Sequence, residues 1–169
     1  MPFTPFHFGP GLLIKSLIPG RFSLTTFVLA NVAMDVEPLY HILRDDTQLH
    51  GFTHTLLGSG FIGVGTALAG TITIRQAWRL YERGYSNAGS PFHITWEQAW
   101  LGALLGTFSH LLLDGLMHAD MHPFAPFTET NPLLEISWTQ NVYLGCVLAG
   151  MLGMLFILVR AAFQSEQTH

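Results

Sequence analysis

The chain has 169 residues, enough for a single domain over residues 1–169 and too few for a second core. Apolar residues make up 49% of it and charged residues only 11%, against about a quarter in soluble domains, so we expect an integral membrane protein. A net charge of −4, with only seven basic residues, excludes a basic surface for nucleic acids, and we expect no nucleic-acid partner.

The opening residues MPFTPFHFGPG contain three prolines and two glycines, which predicts an irregular lead-in. Because it has neither a basic region nor a continuous apolar stretch, we expect no cleavable signal peptide. His7 lies in this lead-in, and two roles stay open for it: an anchor at the membrane interface or a metal ligand. Residues 11–18 form a short amphipathic segment that is too short to cross a bilayer, and Pro19 and Gly20 end it.

The first long helix is predicted over residues 22–37, with Ser23 as its N-cap and Pro38 as its stop. Its sixteen residues are marginal for a membrane span. Asp35 and Glu37 would then lie at the C-terminal end of the helix, where carboxylates oppose the macrodipole. This misfit favours a function over a solvated fringe of acids, and we predict that Asp35 is a metal ligand.

A second apolar helix is predicted from about Phe52 to Ile74, with no charged residue before Arg75. Its length is that of a membrane span, about 20 residues. His50 and His54 open this helix four positions apart, a spacing that allows two imidazoles to bind one metal ion from one helix face. The spacing alone is weak evidence, since paired histidines also form hydrogen bonds between helices.

The third span is predicted from about Trp96 to Met117, and its end leads into the sequence HLLLDGLMH. His110, Asp114 and His118 follow one another at intervals of four residues, so on a helix they lie along one stripe. Imidazoles and carboxylates are the ligands that borderline divalent metals prefer, and ionisable groups at membrane depth are costly unless they have a partner. We therefore predict these three residues as metal ligands.

The rest of the chain is predicted to cover and pack the site. Gly102 and Gly106 form a GxxxG motif, which favours the close approach of another helix. Residues 119–139 contain three prolines and no basic residue, which predicts a loop over the site; Asp120 in this loop is a candidate to act in the site. Residues 142–159 are uniformly apolar and form the last predicted span, with a packing role.

These elements predict an all-α, multi-pass membrane bundle of about four long helices plus a short N-terminal segment. If both termini are cytoplasmic, six of the seven basic residues are cytoplasmic too, as the positive-inside rule requires. The end of the first helix, the start of the second and the end of the third then meet near the non-cytoplasmic face of the inner membrane. Polar groups that merely join helices are the alternative; they explain one or two buried histidines but not six or seven such groups.

The motifs FHFGPG, MDVEP, HGFTHT and SHLLLDGLMHADMHPFAP together resemble a family of membrane-bound, metal-dependent hydrolases, also labelled LexA-binding and inner-membrane-associated. The resemblance touches most of residues 1–135. Members commonly have an N-terminal His, an Asp-containing turn, an HxG-x-T-H type element and an HxxxD element. By this resemblance the implied site residues are His7, Asp35, His54, His110 and Asp114. Many members carry the first histidine of the HxG-x-T-H element one position earlier than His50, where this chain has Leu49.

The family is similar to zinc-dependent phospholipase C and to single-strand nucleases, so the resemblance implies a metal site of that kind. We expect a hydrolase of the phospholipase or phosphodiesterase type that cleaves a phosphoester or ester bond of a membrane lipid or lipid-linked substrate. Two or three divalent ions, most consistent with Zn²⁺, would lower the pKa of a bound water and polarise a phosphoryl or acyl oxygen. The predicted ligands form what we call the His/Asp cluster: His7, Asp35, His50, His54, His110, Asp114 and His118.

Two questions stay open at the level of the sequence. Glu37 and Asp120 are the candidate catalytic residues, and each could be a general base or could orient a ligand. A metal transporter, or a non-catalytic membrane protein that binds metal, could use the same His/Asp cluster. A transporter should show a polar path through the bilayer.

Overall fold

The computed structural model describes residues 5–84 and 93–166, and all regular elements in these ranges are helical, which confirms the predicted all-α class for them. The α-helices are α1 (Phe8–Leu17), α2 (Leu24–Leu43), α3 (Leu56–Gly65), α4 (Thr71–Gly84), α5 (Trp96–Met117) and α6 (Thr139–Glu166). A π-helical turn, Thr66–Gly70, joins α3 to α4 in one long helix. The first four residues of the predicted lead-in lie outside the described ranges.

Within the described residues, three helical stretches are long and apolar enough to cross a membrane: Leu56–Arg83, Trp96–Met117 and Ile136–Ser165. In the last stretch only 11% of the most apolar window is buried inside the protein, so most of its apolar surface faces outward. Such a surface is stable against lipid chains and unfavourable in water. These stretches support the predicted transmembrane helices, whereas α2 is not among the candidates.

Helix α2 continues past Pro38 to Leu43, so the prediction that Pro38 ends this helix is wrong. Proline inside a helix leaves the carbonyl four residues earlier, here that of Met34, without its usual donor. The hydroxyl of Thr53 donates to this carbonyl at 3.5 Å, and Pro38 itself is buried. The two acids that were predicted at the end of the helix therefore lie within it, and the macrodipole argument does not apply to them.

Helices α2 and α5 pack closely through the GxxxG motif. A β-carbon on Gly102 would lie 2.2 Å from Oγ1 of Thr26, and one on Gly106 would lie 2.8 Å from the carbonyl oxygen of Phe27. Only glycine permits such a close approach of two helices, as the sequence predicted. This contact holds the Asp35 side of α2 against the His110 side of α5.

Helix α1 packs along α6, also through glycines. A β-carbon on Gly9 would lie 1.9 Å from the carbonyl oxygen of Cys146, and one on Gly153 would lie 2.5 Å from the carbonyl carbon of Leu12. Because α1 is short and begins at Phe8, this packing fixes His7 at the same end of the bundle as the C-terminus of α5.

The predicted loop after α5 is present and is held firmly. Leu56 at the start of α3 donates its backbone N–H to the carbonyl of Pro123 at 2.7 Å. The side-chain amide of Asn131 donates to the carbonyl of Gly115 at 2.9 Å, and Met121 is completely buried. The loop therefore packs over the ends of α3 and α5, where it borders the His/Asp cluster.

Candidate metal centre

Asp114, on the last turn but one of α5, is the centre of the His/Asp cluster. Its side chain is buried, and Nε2 atoms of five imidazoles lie within ion-pair distance of its carboxylate. The distances are 3.1 Å for His7, 3.1 Å for His110, 3.7 Å for His54, 3.9 Å for His118 and 4.0 Å for His50. The structure thus brings the lead-in, the segment before α3 and the end of α5 to one point.

The two carboxylate oxygens of Asp114 face different imidazoles. Oδ1 is nearest to His7 and His118, whereas Oδ2 is nearest to His50, His54 and His110. Oδ1 of Asp35 lies 3.6 Å from Nε2 of His110 on a further side of the cluster. In each of three groups of residues, the potential ligand atoms all lie within 4.8 Å of one another: His7, His110 and Asp114; Asp35, His54 and His110; and His50, Asp114 and His118. The groups share His110 and Asp114, so a common residue could contribute to more than one group.

Two of the imidazoles are oriented by oxygen atoms on their outer sides. Nδ1 of His50 lies 2.9 Å from Oδ2 of Asp120, and Nδ1 of His110 lies 3.1 Å from Oδ1 of Asn31. These acceptors assign the ring proton to Nδ1, which leaves the lone pair of Nε2 directed at the cluster. This is the arrangement that metal-binding histidines commonly have.

Glu37 lies beside the imidazole of His54, which is the third imidazole of the cluster with an oxygen atom on its outer side. Its Oε2 atom lies 3.6 Å from Nδ1 of His54 and accepts hydrogen bonds from the backbone N–H groups of Gly51 at 3.1 Å and Thr53 at 3.0 Å. Burial raises the pKa of Glu37, but hydrogen bonds from His54, Thr53 and Gly51 outweigh it and hold the pKa at about 2. Glu37 is therefore ionised and fixes the turn that carries His54.

Asp120 has the same relation to His50. In addition to the imidazole, its Oδ2 atom accepts the backbone N–H groups of Leu49 at 3.0 Å and His50 at 3.2 Å. Burial raises the pKa of Asp120, but the hydrogen bonds from His50 and Leu49 outweigh it and hold the pKa at about 2. Of the two roles that the sequence left open for Glu37 and Asp120, these contacts favour the orientation of imidazoles over general-base catalysis.

Two ring nitrogens in the cluster lack a hydrogen-bond partner among the described residues. Nε2 of His54 and Nε2 of His110 are both completely buried. Nε2 of His110 is within ion-pair distance of Asp114 and Asp35 but outside hydrogen-bond geometry. A buried polar atom without a hydrogen bond lowers the stability of the fold by about 1–3 kcal/mol. A nitrogen lone pair that faces a carboxylate is also repelled by it, and a cation between the two groups removes this repulsion. The donor set, imidazole nitrogens with carboxylate oxygens, therefore fits a divalent ion of the zinc type.

His50 and His118 of the cluster are neutral at neutral pH, as metal ligands must be. Burial lowers the pKa of His50, and the neighbouring His54 adds to this effect against the carboxylates of Asp120 and Asp114. Burial also lowers the pKa of His118, where the carboxylate of Asp114 opposes the shift.

A cleft of about 420 Å³ borders the cluster at His50. Its walls are mostly apolar and come from the turn before α3 and from the loop after α5; they include Phe52, Leu57, His122 and Pro126. This cleft could not be predicted from the sequence, because the cleft exists only where two irregular segments meet.

The structure brings all seven predicted ligands together, but two details of the prediction are wrong. His50 and His54 do not lie on a helix face: His54 ends the 3₁₀ turn Phe52–His54, and α3 begins after it. Their rings nevertheless contact each other edge to face, with centroids 4.8 Å apart. His118 lies beyond the end of α5 in extended backbone, and it approaches Asp114 from there.

Two neutral residues also contact the imidazoles of the cluster. Asn31, which contacts His110, belongs to no motif or spacing and could not be found from the sequence. Thr53, which contacts His54, is the threonine of the HGFTHT motif, but the motif did not predict its role. His41, in contrast, belongs to none of the three groups of potential ligands, and its Nδ1 atom lies 2.8 Å from Oδ2 of Asp46.

Comparison with known proteins shows the family of the chain. A family profile described as "YdjM inner membrane protein" matches residues 8–168, a range that includes every candidate ligand except His7. No curated protein and no solved structure matches the chain. The description of the family names a membrane and no activity, so it supports the membrane location alone.

Proposed function

The chain belongs to the YdjM inner membrane protein family, and we propose that it is a membrane-embedded, metal-dependent hydrolase. Its reaction would be the hydrolysis of a phosphoester or ester bond in a lipid or lipid-linked substrate by an activated water. The observation that carries this proposal is the ring of five imidazole Nε2 atoms around the buried carboxylate of Asp114. Two of these nitrogens, those of His54 and His110, have no hydrogen-bond partner among the described residues.

The proposal assigns one role to the His/Asp cluster and another to the residues that contact its imidazoles. The His/Asp cluster would hold two or three divalent ions, and Zn²⁺ suits its donors best. Bound metal supplies a Lewis acid, which activates water and polarises the oxygen of the scissile group. Asp120 and Glu37 hold the imidazoles of His50 and His54 in position, and Asn31 does so for His110. Fixed imidazoles lose little freedom when they bind an ion, which increases affinity.

The apolar cleft beside His50 supports a lipid or lipid-linked substrate. It borders the start of the candidate span Leu56–Arg83, so a molecule in the membrane can reach it from the side. Apolar walls accommodate a chain or ring that has left the bilayer, and His50 marks where the cleft meets the cluster. The reacting bond would therefore lie at the polar end of such a substrate.

The distribution of ionisable residues favours a hydrolase over a transporter. In the sequence, Arg75 is the first charged residue after Asp46, and α6 carries no charged residue before Arg160. Helix α5 likewise has no charged residue between Glu97 and Asp114. No further charged side chain continues from the cluster along these helices, which argues against the path of ionisable residues that a metal transporter would use. The same cluster in a catalytic site needs no such path.

We also propose the orientation of the chain in the membrane. Arg75 donates to the carbonyl of Ile94 next to the start of α5, whereas the cluster lies at the other end of this helix. The arginines of α4 and the His/Asp cluster are thus at opposite ends of the bundle. By the positive-inside rule the arginines are cytoplasmic, as are both termini, and the cluster lies near the non-cytoplasmic face.

The test joins metal analysis to a substrate screen. Wild type, His110→Ala and Asp114→Ala are purified in detergent, and their metal content is measured by plasma mass spectrometry. The same samples are incubated with phospholipids of different headgroups and with lipid-linked phosphoesters, and products are identified by mass spectrometry. We expect both variants to lose metal and activity, whereas the control His41→Ala, whose imidazole lies apart from the cluster, keeps both.

Full metal retention in both cluster variants would reject the metal site. Stoichiometric metal without hydrolysis of any substrate in the panel would favour the non-catalytic alternative.

A further inference from the structure

A second cleft of about 420 Å³ lies at the end of the bundle opposite to the His/Asp cluster. Basic and aromatic side chains dominate its lining, and we call it the basic cleft: it includes Arg75, Trp78, Arg79, Glu82, His93 and Trp96. Nothing in the proposed hydrolytic function uses these residues.

The wall of the basic cleft is held by Arg75. Its guanidinium donates from Nε to the carbonyl of Ile94 at 3.1 Å, donates to the same oxygen from Nη2, and lies over the ring of Trp96, 4.6 Å from the centroid. These contacts tie α4 to the start of α5. The guanidinium of Arg75 therefore forms part of the wall between the two helices.

The charge of the basic cleft is positive despite one carboxylate. Glu82 is the acidic residue in the lining, and its Oε1 atom accepts a hydrogen bond from the indole N–H of Trp78 at 2.6 Å. Arg79 lies one helical turn from Arg75 and from Arg83, so three guanidinium groups follow one stripe of α4. The side chain of Arg79 is exposed and therefore accessible to a ligand.

The position of the basic cleft indicates which anion it would bind. It lies where the candidate span Leu56–Arg83 ends and the span Trp96–Met117 begins, which is the level of the lipid headgroups. Tryptophans favour this level, and basic pockets between transmembrane helices bind anionic headgroups. Ile72, which is 46% exposed and lies two helical turns from Arg79 towards the middle of the span, provides apolar surface on α4 for the acyl chains of a bound lipid.

We propose that the basic cleft binds the headgroup of an anionic phospholipid, with its phosphate against Arg79 and its acyl chains along α4. Guanidinium groups bind phosphate oxygens through paired hydrogen bonds, which a zwitterionic headgroup weakens with its own cation. This site is independent of metal binding, so its failure would leave the hydrolase proposal intact, and the reverse also holds.

The experiment compares two lipids with the same acyl chains. Full-length protein in detergent is mixed with equal amounts of phosphatidylglycerol and phosphatidylcholine, and retained lipids are counted by native mass spectrometry. We expect wild type to retain phosphatidylglycerol preferentially. Arg79→Gln should reduce the retention of phosphatidylglycerol about fivefold, whereas Arg79→Lys should preserve most of it. The control is Arg160→Gln, which removes a charge that does not line the cleft and should leave the retention unchanged.

A second readout needs no variant, because Trp78 and Trp96 line the basic cleft. Brominated phosphatidylglycerol should quench tryptophan fluorescence more strongly than brominated phosphatidylcholine at equal concentration. Equal retention and equal quenching by the two lipids would overturn the proposal, as would an equal loss in Arg160→Gln. Complete displacement of phosphatidylglycerol by millimolar inorganic phosphate would also overturn it, since the cleft would then be a site for free phosphate.

Discussion

The Nε2 atom of His7 lies 3.1 Å from Oδ1 of Asp114, although His7 precedes the first α-helix and Asp114 belongs to the fifth. The contact exists because α1 packs along α6 through Gly9. This packing places His7, directly before α1, beside the C-terminus of α5. The N-terminal segment is therefore part of the candidate site, and changes in its packing should alter metal binding at a distance.

Gly9→Ala tests this link between packing and site. The added β-carbon would lie 1.9 Å from the carbonyl oxygen of Cys146, so α1 must move away from α6 and take His7 with it. We expect a lower melting temperature, from a cost of about 1–3 kcal/mol, together with a lower metal content. The control is Gly145→Ala on α6, where a β-carbon meets nothing within 4 Å. An equal loss in this control, or no loss in Gly9→Ala, would contradict the account.

Asp114→Asn removes the charge at the centre of the cluster while it keeps the shape of the side chain. The ions would lose the carboxylate around which five imidazoles are arranged, so metal content should fall by more than about tenfold. Asp46→Asn is the matched control, because Asp46 also contacts an imidazole, that of His41, at 2.8 Å. Metal content, measured after dialysis against a weak chelator, should be unchanged in the control. Similar values for both variants would count against a site at Asp114.

Glu37→Gln and Asp120→Asn distinguish the two roles that are open to these carboxylates. If they orient imidazoles, metal dissociation constants should rise about 10- to 100-fold, and saturating metal should restore the turnover number. A general base would give the opposite pattern: normal metal affinity with a low turnover number at saturation. Competition titration with a chromophoric chelator gives the affinity even before a substrate is known.

Metal affinity should fall as the pH is lowered, and the sign follows from the imidazoles. Burial lowers the pKa of His50 and His118 below the usual value of about 6.5, so both are neutral at pH 7 and become protonated only in more acidic solution. Glu37 and Asp120, each with a pKa of about 2, stay ionised over this range. Affinity should therefore be nearly constant from pH 8 to pH 7 and should decline in more acidic solution, where the imidazoles gain protons. An affinity that does not decline at any pH at which Glu37 and Asp120 remain ionised would exclude imidazole ligands.

The bounds predicted for α5, about Trp96 to Met117, are accurate, and the structure shows a local reason for its start. Thr95 caps this helix, and Gln98 completes a capping box with it, so the start is fixed by neighbouring residues. The end of α2 could not be predicted in the same way. Helix α2 continues through Pro38, which is buried, and the hydroxyl of Thr53, from another segment, lies 3.5 Å from the carbonyl oxygen of Met34 that proline leaves without its usual donor. A tertiary contact of this kind leaves no local pattern.

In the candidate site, too, some positions follow from local spacing and others depend on contacts between distant segments. His110 and Asp114 were predicted from a four-residue interval that places both on one helix face, and they do lie together. His50 and His54 were predicted from the same interval, but their contact arises from a turn held by Glu37 and Asp120. The roles of these two carboxylates, and of Asn31, depend on distances between segments that spacing cannot supply.

The stoichiometry of bound metal tests the central claim most directly. Protein purified in detergent, equilibrated with Zn²⁺ and dialysed, should contain two or three ions per chain by plasma mass spectrometry, and a variant with His54→Ala and His110→Ala together should contain almost none. A wild-type protein with no more metal than this double variant would contradict the claim that the imidazoles and carboxylates around Asp114 bind cations.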